Sequence, residues 1–286
     1  MPQATSAHPI LSSPPATRPQ LRIGRSADDG FLHPMSTYTS LEALLHDAFW
    51  AEEGEPAELA LLDELLREHP GPALEIGSGS GRLLLPLLQK GHHVEGLEIS
   101  PDMLALCRTA ASDLALDPIL YEGDMSSFDP GKTYASLLLP AFTLQLAENP
   151  ETTLSHFKNL LRPGGLLYLS VFIPLAELNR ELPEGQWYDD HRATLPDGRT
   201  AAVETRHQLD RKSRILAREH RYRLLGADGS LEAEHTSAQT LRWFTARQLR
   251  GLLAKAGFEP LHAVADFDAE IPVDDEAQII TVVARR

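Results

Sequence analysis

The spacing of hydrophobic residues changes several times along this chain. Apolar residues recur every three or four positions between residues 41 and 49 and again between 59 and 66, which predicts two amphipathic helices. Short apolar runs then predict strands at 73–76, 93–97, 119–121, 134–139 and 166–172, and helical patterns separate them at 81–88, 101–112 and 151–161. Strands and helices in alternation are typical of βαβ units, so we predict an α/β fold with a mostly parallel sheet covered on both faces.

The pattern changes again at about Pro183. Asp197-Gly198 and Asp228-Gly229 are dipeptides that favour tight hairpin turns. Residues 200–209, 215–224 and 231–244 lie between and around them, so we predict an antiparallel β insertion, 183–244, after the fifth strand. Thr245 is placed to cap a last helix that Gly257 ends, and two closing strands are expected at 258–264 and 278–284.

Composition narrows the domain organisation and the classes of function. Residues 1–36 are rich in Pro, Ser, Ala and Thr without a periodic pattern, which predicts a flexible tail ahead of one domain at 37–286. The formal net charge of −15 argues against nucleic-acid or anionic-membrane partners. One cysteine, Cys107, excludes a multi-cysteine zinc site, and no apolar stretch reaches the roughly 20 residues that cross a bilayer. We expect a cytoplasmic protein without a metal site, and the oligomeric state stays open.

A glycine-rich loop follows the first predicted strand and reads Glu75-Ile76-Gly77-Ser78-Gly79-Ser80-Gly81. Glycine lets a ligand approach the backbone closely and permits unusual dihedral angles, although a tight turn between strand and helix would use the same residues. Glu98 ends the second strand about 20 residues later, where an acid can accept hydrogen bonds from both ribose hydroxyls. Together the two features predict a nucleoside pocket at the carboxyl ends of the strands.

Details of this loop separate two classes of cofactor. Dinucleotide-binding proteins carry G-x-G-x-x-G, whereas here the third glycine comes one residue early and Arg82 takes the last position of that pattern. The carboxylate of Glu75 would repel a pyrophosphate but could accept a hydrogen bond from an amino acid's ammonium group, directly or through water. S-Adenosylmethionine carries that ammonium and no phosphate. A nicotinamide-dependent oxidoreductase remains as an alternative.

These motifs resemble those of class I S-adenosylmethionine-dependent methyltransferases, in particular the bacterial small-molecule type. The resemblance implies a Rossmann-like sheet of seven strands, mostly parallel with one antiparallel strand. In the family, the residue matching Glu98 binds ribose, that matching Asp124 binds the adenine amino group, and residues matching 140–142 line the methyl-transfer site. The implied S-adenosylmethionine site comprises Glu75, Gly77, Ser78, Gly79, Gly81, Glu98, Ile99, Met103, Gly123, Asp124, Met125 and Pro140.

The cofactor motifs do not specify the methyl acceptor. The stretch Leu139-Pro140-Ala141-Phe142 departs from the Asn/Asp-Pro-Pro-aromatic motif of members that methylate nucleic-acid bases, and no paired-Glu loop of protein arginine methyltransferases is recognisable. We therefore expect a small-molecule acceptor with a nitrogen, oxygen or sulfur nucleophile. No catalytic residue is assigned, because displacement at an activated methyl group depends mainly on positioning. A non-catalytic cofactor-binding sensor or partner module and a protein methyltransferase remain as alternatives.

Substrate contacts are expected in the 183–244 insertion, because additions over the strand ends typically form a lid. Between Arg199 and Arg223 it holds eight basic residues against three acidic ones, in an otherwise acidic chain. One hypothesis is that an arginine pairs with an anionic acceptor such as a carboxylate. The other, which we prefer, is that these residues lie on a solvated face of the sheet. Candidates for a base or an aromatic wall are Trp187, Tyr188, His191, His207, His220 and Tyr222.

Overall fold

The computed structural model describes residues 38–50, 54–274 and 277–286. The predicted tail at 1–36 lies outside these residues. The helices are α1 (Ser40–Trp50), α2 (Glu58–Glu68), α3 (Leu84–Gln89), α4 (Pro101–Asp113), α5 (Pro150–Leu160), α6 (Leu175–Leu178) and α7 (Ala246–Lys255), with a 3-10 helix at Thr143–Leu146. The strands are β1 (Ala73–Ile76), β2 (Val94–Glu98), β3 (Leu120–Glu122), β4 (Tyr134–Leu139), β5 (Leu161–Phe172), β6 (Tyr188–Thr194), β7 (Thr200–Asp210), β8 (Ile215–Leu225), β9 (Leu231–Arg242), β10 (Glu259–Ala265) and β11 (Ile279–Arg285).

Seven strands form the main sheet, in the order β10-β11-β5-β4-β1-β2-β3. β11 runs antiparallel to both of its neighbours, and the other adjacent pairs are parallel. The predicted sheet, mostly parallel with one antiparallel strand, is confirmed. Strand order reverses at β1, which pairs with β2 on one side and β4 on the other, and ligands of open α/β sheets bind at such a point.

The core explains why the central strands are continuous apolar runs. Every residue of β1 and β4 is buried, because helices cover both faces of the sheet. On β4, Leu137 faces the cluster that includes Phe157 of α5 and Leu249 of α7. Its neighbour Leu138 faces the opposite cluster, which includes residues of α2, α3 and α4.

Two predicted boundaries were wrong for local reasons. α3 begins at Leu84 and not at residue 81, because Gly81 has a φ of 90° and the following residues form a turn. β5 begins at Leu161, inside the segment assigned to the preceding helix and its stop signal, because Leu161 pairs with Tyr134 across an irregular register. The last helix has the predicted cap at Thr245, where a capping box with Gln248 is formed.

The insertion forms a separate antiparallel sheet in the order β6-β7-β8-β9, as expected after β5. Its first strand, β6, was not predicted, because Tyr-Asp-Asp-His-Arg-Ala-Thr lacks an apolar alternation. One face of this sheet packs on α1 through Phe49, Val203 and Tyr222, which belong to one buried cluster. We call it the inner face. None of the described helices is long and apolar enough to cross a membrane.

Candidate active site

A cavity of about 820 Å³ lies at the carboxyl ends of β1, β2 and β4, and the inner face of the four-stranded sheet forms its other wall. Eleven of the twelve residues predicted to bind the cofactor line it: Glu75, Gly77, Ser78, Gly79, Glu98, Ile99, Met103, Gly123, Asp124, Met125 and Pro140. Gly81 is the exception. The sequence pattern therefore located the pocket, while contact between these residues and a cofactor stays a prediction.

Two glycines of the loop are required for different reasons. Gly77 has a φ of 76°, and a Cβ there would lie 2.8 Å from the Thr143 side chain. Larger residues would therefore displace the 3-10 helix beside the cavity. Gly81 has a φ of 90°, and a Cβ there would lie 2.7 Å from the Sγ of Cys107 on α4. Gly81 thus permits close packing of the loop on α4, with Cys107 as the buried packing residue expected from the sequence.

Glu98 holds the glycine loop against the end of β2. Its Oε2 accepts a hydrogen bond from the backbone N–H of Gly79 at 3.0 Å. Its Oε1 accepts from the N–H groups of Ile99 at 2.9 Å and Ser100 at 2.8 Å. Three backbone donors fix a nearly buried carboxylate at the cavity wall, where acceptors for ribose hydroxyls are needed.

Glu75 presents a buried oxygen without a partner. Its side chain is 2% exposed, and Oε2 makes no hydrogen bond among the described residues. Burial, reinforced by the nearby carboxylates of Glu58 and Glu98, raises the pKa of Glu75 well above its usual range. An unsatisfied carboxylate oxygen in a cavity is costly, and the ammonium group of S-adenosylmethionine would satisfy it. The donor set therefore fits that cofactor.

Glu58, in the first turn of α2, is a site residue that the sequence analysis missed. Its carboxylate accepts from the backbone N–H of Ala141 at 2.8 Å and from the hydroxyl of Tyr168 at 3.1 Å. Burial raises the pKa of Glu58. Ala141 and Phe142 both have positive φ values, 51° and 66°, so this contact stabilises a strained turn after β4. An acid in a first helical turn is ordinarily explained by its favourable interaction with the helix dipole, so nothing in the sequence was a reason to place Glu58 in the site.

Ile99, Met103 and Asp124, which the resemblance places in the cofactor site, line the cavity near the ends of β2 and β3. Met103 is buried and Ile99 is exposed. Oδ1 of Asp124 accepts from the N–H of Ser126 at 2.7 Å, which is a turn contact within its own loop. The position of Asp124 fits both a turn residue and an adenine contact, and the second role remains a prediction.

Helix α1 closes the cavity and is fastened at several points. Ser80 of the glycine loop donates to Asp47 Oδ1 at 2.6 Å, and Ser100 donates to the backbone carbonyl of Tyr38 at 2.7 Å. The guanidinium of Arg82 lies 4.4 Å from the centre of the Trp50 ring. The helix was predicted, but these contacts join segments more than thirty residues apart and could not be derived from spacing.

The inner face of the four-stranded sheet supplies the far wall. Of the six ring-bearing candidates in the insertion, His191, His220 and Tyr222 line the cavity. Trp187 instead lies against the guanidinium groups of Arg206 and Arg221, at 5.0 and 4.1 Å from the ring centre. Close to the turn after β4, the rings of Phe142 and Phe172 are 5.0 Å apart.

The basic segment divides between the two faces of this sheet. On the face away from the cavity, Arg206 pairs with Glu219, and Arg221 pairs with Glu204. These partly exposed ion pairs support the hypothesis of a solvated sheet face. Among the basic residues described in this segment, Arg218 alone lines the cavity, where it is paired with the buried carboxylate of Glu177.

Comparisons with known proteins agree with this geometry. A family model described as a methyltransferase domain matches residues 49–263. The dTDP-3-amino-3,6-dideoxy-α-D-glucopyranose N,N-dimethyltransferase of Streptomyces fradiae is 25% identical over 239 residues, which are 78% of this chain and 86% of that protein. A ribosomal RNA small subunit methyltransferase C of Alcanivorax borkumensis is 27% identical over 138 residues, which are 46% of this chain and only 40% of that protein.

Solved structures share the fold. A methyltransferase from Clostridium acetobutylicum, described as S-adenosylmethionine-dependent, superposes with a TM-score of 0.70 at 13% identity, covering 85% of this chain and 97% of that one. A likeness at this level of identity shows a shared fold. The matched family model, the glycine loop and the sheet topology together show that this chain belongs to the class I S-adenosylmethionine-dependent methyltransferases.

Proposed function

We propose that this enzyme methylates an amine of a small organic molecule, which binds between the glycine loop and the inner face of the four-stranded sheet. The observation that carries the proposal is the single cavity that these two walls share. In this proposal the sheet acts as the substrate lid. The name of the Streptomyces fradiae relative describes an enzyme that methylates the amine of a sugar nucleotide, which supports the same acceptor chemistry here.

Electrostatics favour an amine over a carboxylate as the reacting group that enters the cavity. The carboxyl groups of Glu42, Glu58, Glu75, Glu98, Glu177 and Asp190 line the cavity, together with the guanidinium groups of Arg82 and Arg218. Arg218 is already paired with Glu177. An excess of acidic groups attracts cations and disfavours anions, and this effect is strongest where water is excluded.

When bound, S-adenosylmethionine supplies an activated methyl group on a positively charged sulfur. Glu75 would hold its ammonium group and Glu98 its ribose, and α1 and the inner sheet face, which line the same cavity, would exclude water. The protein's contribution is then to position the acceptor, because the leaving group needs no further activation.

The first experiment is calorimetric titration of the purified full chain with S-adenosylmethionine, NAD and NADP. We expect saturable binding of S-adenosylmethionine that is lost in Glu98→Ala, and no binding of the nicotinamide cofactors. Binding of the nicotinamide cofactors alone would contradict the assignment of the pocket.

The acceptor class is tested by incubating the enzyme with S-adenosylmethionine and matched sets of amines, alcohols, thiols and carboxylic acids, including amino sugars and their hydroxyl analogues. Mass spectrometry should show a gain of one methyl group in amines. Methylation of carboxylic acids only would refute the amine proposal, and cofactor binding without any methylated product would support the sensor alternative.

Two arginines provide a matched pair for the question of an anionic acceptor. Arg218→Gln removes a positive charge from the cavity and leaves the buried carboxylate of Glu177 without its partner. KM for an amine acceptor should therefore not rise, whereas an anionic acceptor held by Arg218 would show a higher KM. Arg221→Gln, on the opposite face of the same strand, removes an ion pair with Glu204 and should leave KM unchanged. A higher KM in Arg221→Gln alone would place the acceptor on the outward surface and refute the proposed location of the site.

A further inference from the structure

A row of polar side chains crosses the inner face of the four-stranded sheet. Thr205 on β7 is the register partner of His220 on β8, and His220 is the register partner of Ser237 on β9. Asp190 on β6 completes the row beside Thr205. The Thr205 hydroxyl donates to Oδ2 of Asp190 at 2.5 Å and lies 2.8 Å from Nδ1 of His220.

The hydrogen bonds of Thr205 determine which ring nitrogen of His220 carries the proton. A threonine hydroxyl has one hydrogen to donate, and an ionised carboxylate can only accept. Thr205 therefore uses its hydrogen on Asp190 and accepts a hydrogen bond from Nδ1–H of His220. The other ring nitrogen, Nε2, then carries a lone pair, and it has no hydrogen-bond partner among the described residues. The ring itself lines the cavity.

The surroundings keep this ring uncharged. Burial, together with the charge of Arg218, lowers the pKa of His220 to about 4, and Asp190 opposes that shift only in part. Glu42 from α1 and Glu177 from α6 also line the cavity. A neutral imidazole does not repel the sulfonium group, and its free nitrogen can only accept a hydrogen bond.

We propose that Nε2 of His220 accepts a hydrogen bond from the N–H of the acceptor amine and thereby fixes the direction of the amine's lone pair. Thr205 and Asp190 are positioning residues that hold the ring in the required tautomer. This inference rests on the proposed amine acceptor. The lone pair makes the new bond to the methyl carbon, and the electrons of the broken sulfur–carbon bond stay on sulfur. The extra proton then passes from the methylated ammonium product to water.

Histidine tautomers can be measured directly. We would label the full chain with ¹⁵N-histidine, saturate it with S-adenosylhomocysteine, and record long-range ¹H–¹⁵N spectra from about pH 5 to 8. The His220 signals are identified by their loss in His220→Gln. We expect protonated Nδ1 and unprotonated Nε2 at neutral pH, a mixture of tautomers in Thr205→Val, and no change in Ser237→Ala. A charged ring or a protonated Nε2 at neutral pH would overturn the proposal.

Ser237→Ala is the matched control, because it removes a buried hydroxyl on the other side of His220 that makes no hydrogen bond among the described residues.

In a second experiment, kcat is measured with a 3-amino-3,6-dideoxyhexose nucleotide as the acceptor. Loss of one neutral hydrogen bond in Thr205→Val should lower kcat by about 2- to 10-fold, and loss of the acceptor nitrogen in His220→Phe by about 100-fold. His220→Gln retains an amide oxygen and should recover part of that loss. Each variant should bind S-adenosylmethionine with wild-type affinity. Wild-type kcat in His220→Phe would refute the role of His220. A wild-type enzyme that methylates no amine would instead refute the proposed function, and the tautomer measurement would then decide this inference.

Discussion

Replacing Glu98 by glutamine tests how far one carboxylate organises the cofactor site. The wild-type side chain offers two charged oxygens to three backbone donors, those of Gly79, Ile99 and Ser100. Glutamine offers one oxygen and one NH₂ group. If the oxygen remains with Ile99 and Ser100, the N–H of Gly79 faces another donor, and the loop loses its attachment to β2.

The magnitude follows from the bonds that change. A hydrogen bond to a charged group contributes about 1.5–3 kcal/mol, so Glu98→Gln should lower the free energy of unfolding by about that amount. The ribose hydroxyls also lose a charged acceptor, and a similar loss in binding corresponds to about 10- to 100-fold weaker binding of S-adenosylmethionine.

Urea denaturation measures the first effect and calorimetric titration the second. Glu122→Gln is the control, because Glu122 is the register partner of Glu98 on β3 and is exposed. It should change neither quantity. A Glu98→Gln protein with wild-type unfolding and cofactor affinity within twofold of wild type would refute the reasoning.

Three further substitutions have distinct expected results. Glu75→Gln should raise the thermal unfolding temperature of the cofactor-free protein at neutral pH and weaken S-adenosylmethionine binding. The folded-state pKa of Glu75 is raised, so its charged form destabilises the fold at pH values above its ordinary pKa. The advantage of glutamine should therefore vanish near pH 4. Gly81→Ala combines a left-handed backbone with a clash against Cys107 and should cost about 2–5 kcal/mol by urea denaturation, part of which Cys107→Ala recovers. Thr245→Ala removes a helix cap and should cost about 1 kcal/mol in the same assay.

Each of these predictions has a result that would contradict it. A lower unfolding temperature for Glu75→Gln at neutral pH would mean that the carboxylate is satisfied in the cofactor-free protein. Strictly additive effects of Gly81→Ala and Cys107→Ala would show that the two residues do not clash. An unchanged urea midpoint in Thr245→Ala would show that α7 does not depend on its cap.

Sequence periodicity was sufficient wherever burial alone decides the structure. β1 and β4 are buried along their whole length, and their predicted bounds agree with the observed ones. β6 was missed because its side chains are mostly exposed or polar, and its place in the sheet is decided by backbone pairing with β7. Pairing of this kind depends on the partner strand and leaves no mark in the strand's own pattern.

The candidate site also combines residues that the sequence could predict with residues that it could not. Residues near the glycine loop could be predicted to line the cavity, because the motif places them at fixed distances from the strand ends. Glu58 approaches Ala141 across 83 positions of the chain. Thr205 and His220 meet through strand register, and Asp190 reaches Thr205 from the irregular part of the β6–β7 pairing. Such contacts depend on how whole elements pack, so one sequence without structural information could not place them.

The alternation of side chains along β8 has a consequence for how this enzyme can acquire new acceptors. Arg218, His220 and Tyr222 face the cavity, whereas Arg221 and its neighbours carry ion pairs on the opposite surface. Every second residue can therefore vary without disturbing the ion pairs on the outer surface, and none of these positions belongs to the glycine loop. If the inner face binds the acceptor as proposed, acceptor choice and cofactor affinity depend on separate sets of residues. A library restricted to inward positions of β7, β8 and β9 should then change the substrate while keeping the methyl donor.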